Sequence, residues 1–464
     1  MTIPYPPPYQ TIINKLLKDE AEEFWREIQE RPARSGLRIN SGKTFPEVLQ
    51  GLPVRLDPLP WEENGYLVEA TGDLGKHPFH AAGLYYLQEP SAMAAVEVLQ
   101  PQPGEHILDL AAAPGGKSTQ IVTRMNNTGL LLANDPHPGR VQALARNLER
   151  WGARQTAITR DQPQRLADAL GPIFNRVLVD APCSGEGMFR SHPGERKRWS
   201  PNFVQRCAAQ QQEILWYAAK LVKPDGVLVY STCTFNTREN EQVVSGFLKA
   251  CPDFSLEEPH PVSGFSPGID RGENADILKT KSVRIWPHRA PGEGHYIACF
   301  HKDPARAERQ QAFQTANLPG IDSDQAAEYK RFFDAALTCS KETDGFRPGN
   351  PGLHVFGNRL YAVPEGLPPL SGLKVHHWGW WLGTFHHGRF RPSHALAVGI
   401  RKEAAQKVLE LPVNGTKVAH FLRGLPLDSA GEAGWILITT AGVPLGWGKR
   451  ANGRLKSFSP SWLH

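Results

Sequence analysis

Over residues 106–300, short apolar runs alternate with longer helical patterns, and this alternation limits the possible folds more than any other feature of the chain. HILDL precedes the turn AAAPGGK, LLLAND precedes VQALARNLERW, and NRVLVD follows. AAQQQEILWYAAKLV then precedes GVLVYSTC. Short, continuously apolar strands are buried on both faces, and parallel neighbours need long crossovers, usually helical. The pattern predicts an α/β domain with a mostly parallel sheet and helices on both sides.

Outside this block the chain changes character. Residues 10–30 place Ile13, Leu16, Leu17, Phe24 and Ile28 at helical spacing, and Pro32 ends the predicted helix. Residues 302–325 are rich in Pro, Ala, Gln and Asp, lack an apolar period, and read as an exposed connection. After one short helix, EYKRFFDAAL, glycines, prolines and aromatic residues punctuate HVFG, RLYAV, GWWLGTF and GWILITT, as in β-rich modules. The expected organisation is an α+β domain over 1–76, the α/β domain over 77–301 and a linker over 302–325. An intermediate β-rich module over 326–395 and a terminal β-rich module over 396–464 follow.

No apolar run approaches the roughly 18–20 residues that cross a bilayer, and the start MTIPYPPPYQ has no secretory pattern. A cytoplasmic protein without membrane attachment is expected. Six cysteines form no CxxC pair, which argues against disulfides and a zinc site, so no metal is expected. Net charge is +5, but from Ala326 onward 17 Lys and Arg face 9 Asp and Glu, a local +8 that leaves −3 for the first 325 residues. A basic half of that kind is suited to a polyanionic partner.

The first turn runs from Asp109 through Ala111, Ala112, Ala113, Pro114, Gly115 and Gly116 to Lys117, with a helix predicted from near Ser118. Small side chains let backbone N–H groups approach a ligand, and a helix N-terminus favours negative charge there. The spacing is neither GxGxxG nor a phosphate loop. Asp135 ends the next predicted strand 26 residues after Asp109, where an acidic side chain accepts hydrogen bonds from ribose hydroxyls, and Asp161 lies near the end of a third run, TAIT. Carboxylates at successive strand ends predict a nucleoside cofactor.

Two cysteines are also placed at strand ends. Cys183 lies in DAPCSG, which opens with Asp180 after the run VLV, and Cys233 lies in STCT after VLVY. Carbon 5 of cytosine is too weak a nucleophile to take a methyl group directly, whereas thiolate attack on carbon 6 loads electron density onto it. Asp180 beside the thiols can bind the exocyclic amine and hold or protonate N3. The other cysteines, Cys207, Cys251, Cys299 and Cys339, are expected as small buried hydrophobes.

LQEPSAM, LDLAAAPGGKST, AND, DAPCSGEGMFR, WSP and YSTCT occur in that order between residues 87 and 234, and together they resemble the Sun/NSUN family of RNA cytosine-5 methyltransferases, a likeness covering residues 34–299. The resemblance implies a Rossmann-like, S-adenosylmethionine-dependent domain, with Cys233 as nucleophile and Cys183 as the thiol that helps release product. It also implies cofactor binding by Ala111 to Lys117, Asp135, Asp161 and Asp180, with Lys117 near the target base. At the ribose position the family often has Glu, where this chain has Asp135. DNA cytosine-5 methyltransferases share the chemistry, but there the PC cysteine attacks and a Glu-Asn-Val segment follows. A silent RNA-binding protein would have lost the cysteines or the turn.

The segment GWILITTAGVPLGWGKRANGRLKS resembles the terminal PUA-like module of bacterial 16S ribosomal RNA methyltransferases of the RsmF type, which modify cytosine near the decoding region. RNA is therefore the implied partner, as 16S rRNA or the small ribosomal subunit, for a monomeric enzyme. Six of the twelve Trp lie beyond residue 325, among them Trp378, Trp380, Trp381 and Trp447, interleaved with Lys449, Arg450, Arg454 and Lys456. Aromatic faces and cations suit base stacking and phosphate contacts, with about half of these Trp expected in module cores. The pairs His376-His377 and His386-His387 are expected at strand ends or on the surface.

Overall fold

The computed structural model describes residues 3–44, 52, 54–69, 73–260, 262–269, 275–306 and 317–463. Four sheets form. β1 (Ser35–Ile39), β2 (Leu56–Pro58), β3 (Gly65–Val68) and β4 (Tyr85–Gln88) make an antiparallel N-terminal sheet in the order β2-β3-β1-β4.

The large central sheet takes β5 (His106–Asp109), β6 (Leu130–Asn134), β7 (Thr156–Thr159), β8 (Phe174–Asp180) and β9 (Val222–Thr232), all parallel to their neighbours in this set. β10 (Phe254–Glu257), β11 (Ser266–Pro267), β12 (Ser282–Ile285) and β13 (His295–Lys302) extend it with antiparallel pairings. The α/β expectation, a Rossmann-like sheet with a separate N-terminal α+β part and a β-rich C-terminal part, is met. Strand order runs β7-β6-β5-β8-β9, so the direction of winding reverses between β5 and β8. In open α/β sheets ligands sit in the crevice beyond the carboxyl ends of the strands at this reversal.

The helices follow from local sequence. Pro138, Pro163 and Pro201 open the helices Pro138–Trp151, Pro163–Leu170 and Pro201–Ala219 at positions where a missing N–H costs nothing. Gly152 then ends the first of these in a left-handed conformation. All five residues of β6 are buried, as a strand with helices on both faces requires. The predicted helix over 10–30 is two helices, Pro7–Leu17 and Ala21–Glu30, separated by a tighter turn after Lys18, whose φ is +51°. The break lets Tyr9, Ile13 and Leu17 on one helix and Phe24 on the other reach a single cluster with Phe189, Trp199, Phe235 and Trp286 of the central domain.

Beyond the connection, the helix Ser323–Ala336 starts before the predicted EYKRFFDAAL, because Asp322 caps it by accepting from Gln325 N at 2.8 Å. β14 (Leu353–Phe356), β15 (Arg359–Ala362), β17 (Trp380–His386) and β18 (Arg389–Pro392) form the third sheet. Between them β16 (Val375–His377) leaves this module and pairs antiparallel with β7, making it the outer strand of the central sheet. β19 (Val408–Glu410), β20 (Leu427–Asp428), β21 (Gly434–Thr440), β22 (Val443–Ala451) and β23 (Arg454–Ser457) form the last sheet. Leu37 and Ile39 of β1 share one apolar cluster with Phe421, Ile436, Ile438 and Leu445, so the first and last domains pack on each other.

Some side chains depart from expectation. Cys207, Cys251 and Cys299 are buried, but Cys339 is exposed just past the helix Ser323–Ala336. His386 and His387 are exposed, whereas His377 is buried with Nε2 3.8 Å from Glu149 because β16 is packed onto the central sheet. Trp380 and Trp447 are core residues, while Trp378, Trp381, Trp435 and Trp462 are half-buried. No helix among the described residues is long and apolar enough to cross a membrane.

Candidate active site

β5 ends at Asp109, and the chain turns through the alanines into the helix Gly116–Arg124, two residues earlier than expected. Gly115 makes the turn at φ +111°, a conformation closed to residues with a side chain, and an added Cβ would meet Leu144 at 3.2 Å. Asp109 is buried and its Oδ2 accepts from Ser118 Oγ at 2.6 Å, which ties strand to helix. Burial pushes its carboxyl up to about 7. Asn134, the N of the AND motif, donates to the carbonyls of Leu110 and Asp161 and accepts from Thr159 Oγ1, so it clamps three strand ends together.

Two cavities open beyond these strand ends. One of about 510 Å³ is lined by Ala111, Asp135, Arg140, Gln162 and Cys183. The other, about 550 Å³, is lined by Ala112, Ala113, Pro114, Gly116, Lys117 and His295 together with Gln88 and Glu89 from the end of the N-terminal sheet. Ala111, Asp180, Ala181 and Cys233 line both. A ligand in one therefore meets a ligand in the other at Asp180 and Cys233.

Asp180 closes β8. Its Oδ2 accepts from Lys117 Nζ at 2.7 Å and its Oδ1 from Ser231 Oγ at 2.8 Å. Burial alone would raise the carboxyl, but the Lys117 ammonium outweighs it and, with His295, holds it well below the usual range. Burial likewise disfavours the Lys117 charge, and Asp180 reverses that, so Lys117 is raised above its ordinary value. The pair is an ionised couple facing Cys233.

Cys183 Sγ and Cys233 Sγ lie 3.3 Å apart. The hydrogen bond with the Cys233 sulfur, reinforced by burial, pushes the Cys183 thiol far up. The loops carrying the two cysteines are stitched together below them. Gly187 N donates to Cys233 O at 2.8 Å, Ser184 N to Glu239 Oε2 at 2.8 Å, and Asn236 Nδ2 to both Glu186 and Glu239. Trp199 of the WSP motif donates to Glu186 at 2.9 Å. Every donor here meets an acceptor, which makes a buried polar network rigid.

The remaining anticipated residues are placed as follows. Asp135 is 1% exposed; Oδ1 accepts from His137 N at 2.9 Å, while Oδ2 has no hydrogen-bond partner and lies 3.6 Å from Arg140. Asp161 does not line either cavity. Its Oδ2 accepts from Lys374 N at 2.5 Å, beside β16, and Arg165 lies 3.2 Å from its Oδ1. Reading the sequence missed His295, Glu186, Glu239 and Ser231. The last lies inside STCT, and His295 breaks an otherwise apolar strand, HYIACF, which was the only local signal for it.

The same chain matches four family descriptions end to end. Residues 96–301 match 16S rRNA methyltransferase RsmB/F, and 5–90 match the N-terminal domain of 16S rRNA methyltransferase RsmF. Residues 338–400 match the RsmF first C-terminal domain and 408–463 the RsmF PUA domain. Ribosomal RNA small subunit methyltransferase F of Erwinia tasmaniensis is 32% identical, with 99% of this chain and 96% of that protein covered. The protein of the same name from Klebsiella pneumoniae is 32% identical, covering 94% and 91%. A methyltransferase homologue from Pyrococcus horikoshii, solved by crystallography, is 25% identical with a TM-score of 0.56, covering 65% of this chain and 96% of that one. With the matched segments in this order and a relative 32% identical over 99% of the chain, the chain is an enzyme of the 16S rRNA methyltransferase RsmB/F family.

Proposed function

We propose that the enzyme methylates carbon 5 of a cytosine in 16S rRNA near the decoding region, with S-adenosylmethionine as donor. The observation that carries this reading is the contact of two thiols at 3.3 Å beside the ionised Lys117–Asp180 pair. Cytosine-5 chemistry needs a nucleophile, a releasing group and an acidic partner for the base at one place.

The cavity beside β5 and β6 fits the cofactor. Asp135 Oδ2, which has no hydrogen-bond partner, is an acceptor suited to ribose hydroxyls, and the small side chain of Ala111 leaves room for a close approach to backbone. The rest of the turn, Ala112, Ala113, Pro114, Gly116 and Lys117, lines the neighbouring cavity, and Asp180 bounds both. Asp161, committed to Lys374 and Arg165, serves this site by fixing the cavity wall at Gln162. Bound there, S-adenosylmethionine supplies an electrophilic methyl group.

In the neighbouring cavity the Lys117–Asp180 pair holds the N3 and amine edge of the base, the ionised Asp180 accepting from the exocyclic amine and the Lys117 ammonium donating to N3 as charge develops there. Cys233 gives its proton to solvent in the open cavity as its sulfur adds to carbon 6, and the electron pair displaced onto the ring raises the nucleophilicity of carbon 5. After methylation a water in the cavity takes the carbon 5 proton, the C–H electron pair restores the 5,6 double bond, and the carbon 6–sulfur bond breaks, its electron pair returning to Cys233. Cys183, a protonated thiol in contact with that sulfur, donates to it and eases its departure.

Around this centre the basic terminal module carries the RNA. Lys449 and Lys456 are directly opposed on β22 and β23, a like-charge pair that a polyanion relieves. Lys449 lies over Trp435 at 5.3 Å and Lys456 over Phe458 at 5.7 Å. The test is transfer from labelled S-adenosylmethionine to 16S rRNA, small subunits, DNA or no acceptor, with product nucleosides resolved. Label in 5-methylcytosine from rRNA or subunits is expected; label in another nucleoside, or in DNA alone, overturns the reading.

A further inference from the structure

His295 is the first residue of β13, the strand that runs antiparallel to β9. That direction brings the start of β13 to the edge where the parallel strands end. Tyr296 is opposite Thr232 in the register, so His295 lies level with Cys233. Its backbone is held firmly: Gly294 N donates to Ser91 Oγ, and Glu293 N donates to Glu89 Oε1 while its carboxylate binds Arg190.

The imidazole is 4% exposed, lines the cavity shared with Lys117, Asp180 and Cys233, and neither ring nitrogen has a hydrogen-bond partner. Nε2 stands 3.7 Å from Asp180 Oδ1, beyond hydrogen-bond reach. Apart from the 3.7 Å ionic approach to Asp180, no hydrogen bond among the described residues offsets the desolvation of this imidazole, a cost that an apolar side chain in the same place would not carry. The chain keeps a polar group where folding alone disfavours one, aimed at the place where the base sits.

We propose that His295 is a further catalytic residue, whose ring N–H donates to the 2-oxo group of the target pyrimidine while the Lys117–Asp180 pair holds N3 and the amine. The 2-oxo group neighbours N3 on the ring, as His295 neighbours Asp180 in the cavity. When Cys233 adds to carbon 6, negative charge moves onto N3 and this oxygen, so the hydrogen bond strengthens in the adduct. A preoriented donor aimed at developing charge contributes to rate more than to binding. The inference rests on the cytosine-5 reading above.

His295→Leu removes both nitrogens at similar volume, and His295→Gln keeps an N–H of similar reach. His295→Leu is expected to melt no lower than the wild type, to bind S-adenosylmethionine normally, and to lose about 100-fold in kcat on RNA. His295→Gln should recover most of that loss. A His295→Leu enzyme of near wild-type kcat overturns the proposal, as does a lower melting temperature, which would make the histidine structural. Equal losses in both variants overturn it too, because a donor would then be irrelevant. Wild-type enzyme assayed alongside separates the two levels: absence of 5-methylcytosine sinks the cytosine reading and this inference with it, whereas its presence with an indifferent His295 sinks only the inference.

Discussion

Cys183 and Cys233, their sulfurs 3.3 Å apart, are where single substitutions test the proposed attack and release. Cys233→Ala is expected to abolish methyl transfer while leaving cofactor affinity intact, measured by calorimetry; transfer near the wild-type rate would remove it as nucleophile. Cys183→Ala should accumulate a covalent protein–RNA adduct that survives denaturation. A retarded gel band is expected for Cys183→Ala and none for the double variant, and a band in the double variant would assign the attack to another residue. Asp109 governs a pH effect on stability instead. Its folded value of about 7 lies above its ordinary 3.8, so its contribution is fully present below about 4 and is lost as pH rises to 7. Stability of Asp109→Asn relative to wild type should therefore increase between pH 4 and 7 and level off above, as followed by denaturant midpoints; a constant difference would contradict the burial of an ionisable carboxyl there.

At the scale of elements, β16 does the most unexpected thing, since a short strand from a C-terminal module covers the outer edge of the catalytic sheet. Arg160 N donates to Lys374 O and Lys374 N to Asp161, while Leu367 and Leu370 are buried in the central core. A fragment ending near Lys302 keeps every catalytic motif but uncovers β7 and loses those two leucines, each worth about 1.5–3 kcal/mol when fully buried. Lys374→Pro removes the backbone donor together with the side chain; the donor's bond to a carboxylate contributes about 1.5–3 kcal/mol, so the variant should destabilise by at least that order and weaken cofactor binding. Lys374→Ala retains the N–H and should stay within about 0.5 kcal/mol of wild type. Equal unfolding midpoints for the two variants would show that the Asp161 bond is dispensable.

For the whole molecule, charge is divided: the catalytic and N-terminal parts are acidic overall and the C-terminal part basic. On β22 and β23, Lys449, Arg454 and Lys456 are exposed, whereas Arg450 is engaged by Ser429 Oγ at 3.0 Å and by the Glu432 carbonyl. Replacing the three exposed residues with Ala should lower RNA affinity whatever the sequence, because phosphate contacts carry no base information. Each lost contact reduces the slope of log affinity against log salt by roughly 0.7–0.9, so a flattening of about 2 to 3 units is expected if all three touch the backbone. Unchanged affinity and slope in binding curves at several salt concentrations would return RNA recognition to the other domains.

The sequence by itself determined the features that live within a short window of chain. The apolar runs set the parallel strands, the small residues after Asp109 set the turn, and the placement of DAPC and STCT after strands put Cys183 and Cys233 on one edge. Local periodicity and side-chain size are enough for these, because each strand, turn and helix start depends on its own residues. Tertiary structure alone decided which distant segments meet. Lys374 N reaches a carboxylate 213 residues away in Asp161, His295 comes level with Cys233, and β1 shares a core with β21 and β22. Such pairings follow from edge hydrogen-bonding groups and apolar faces that must be covered by something, and no window of sequence names the partner. The same is true of the state of each group in the site. Asp180 and Cys183 take opposite shifts from Lys117 and Cys233, partners that only the closed sheet brings within contact.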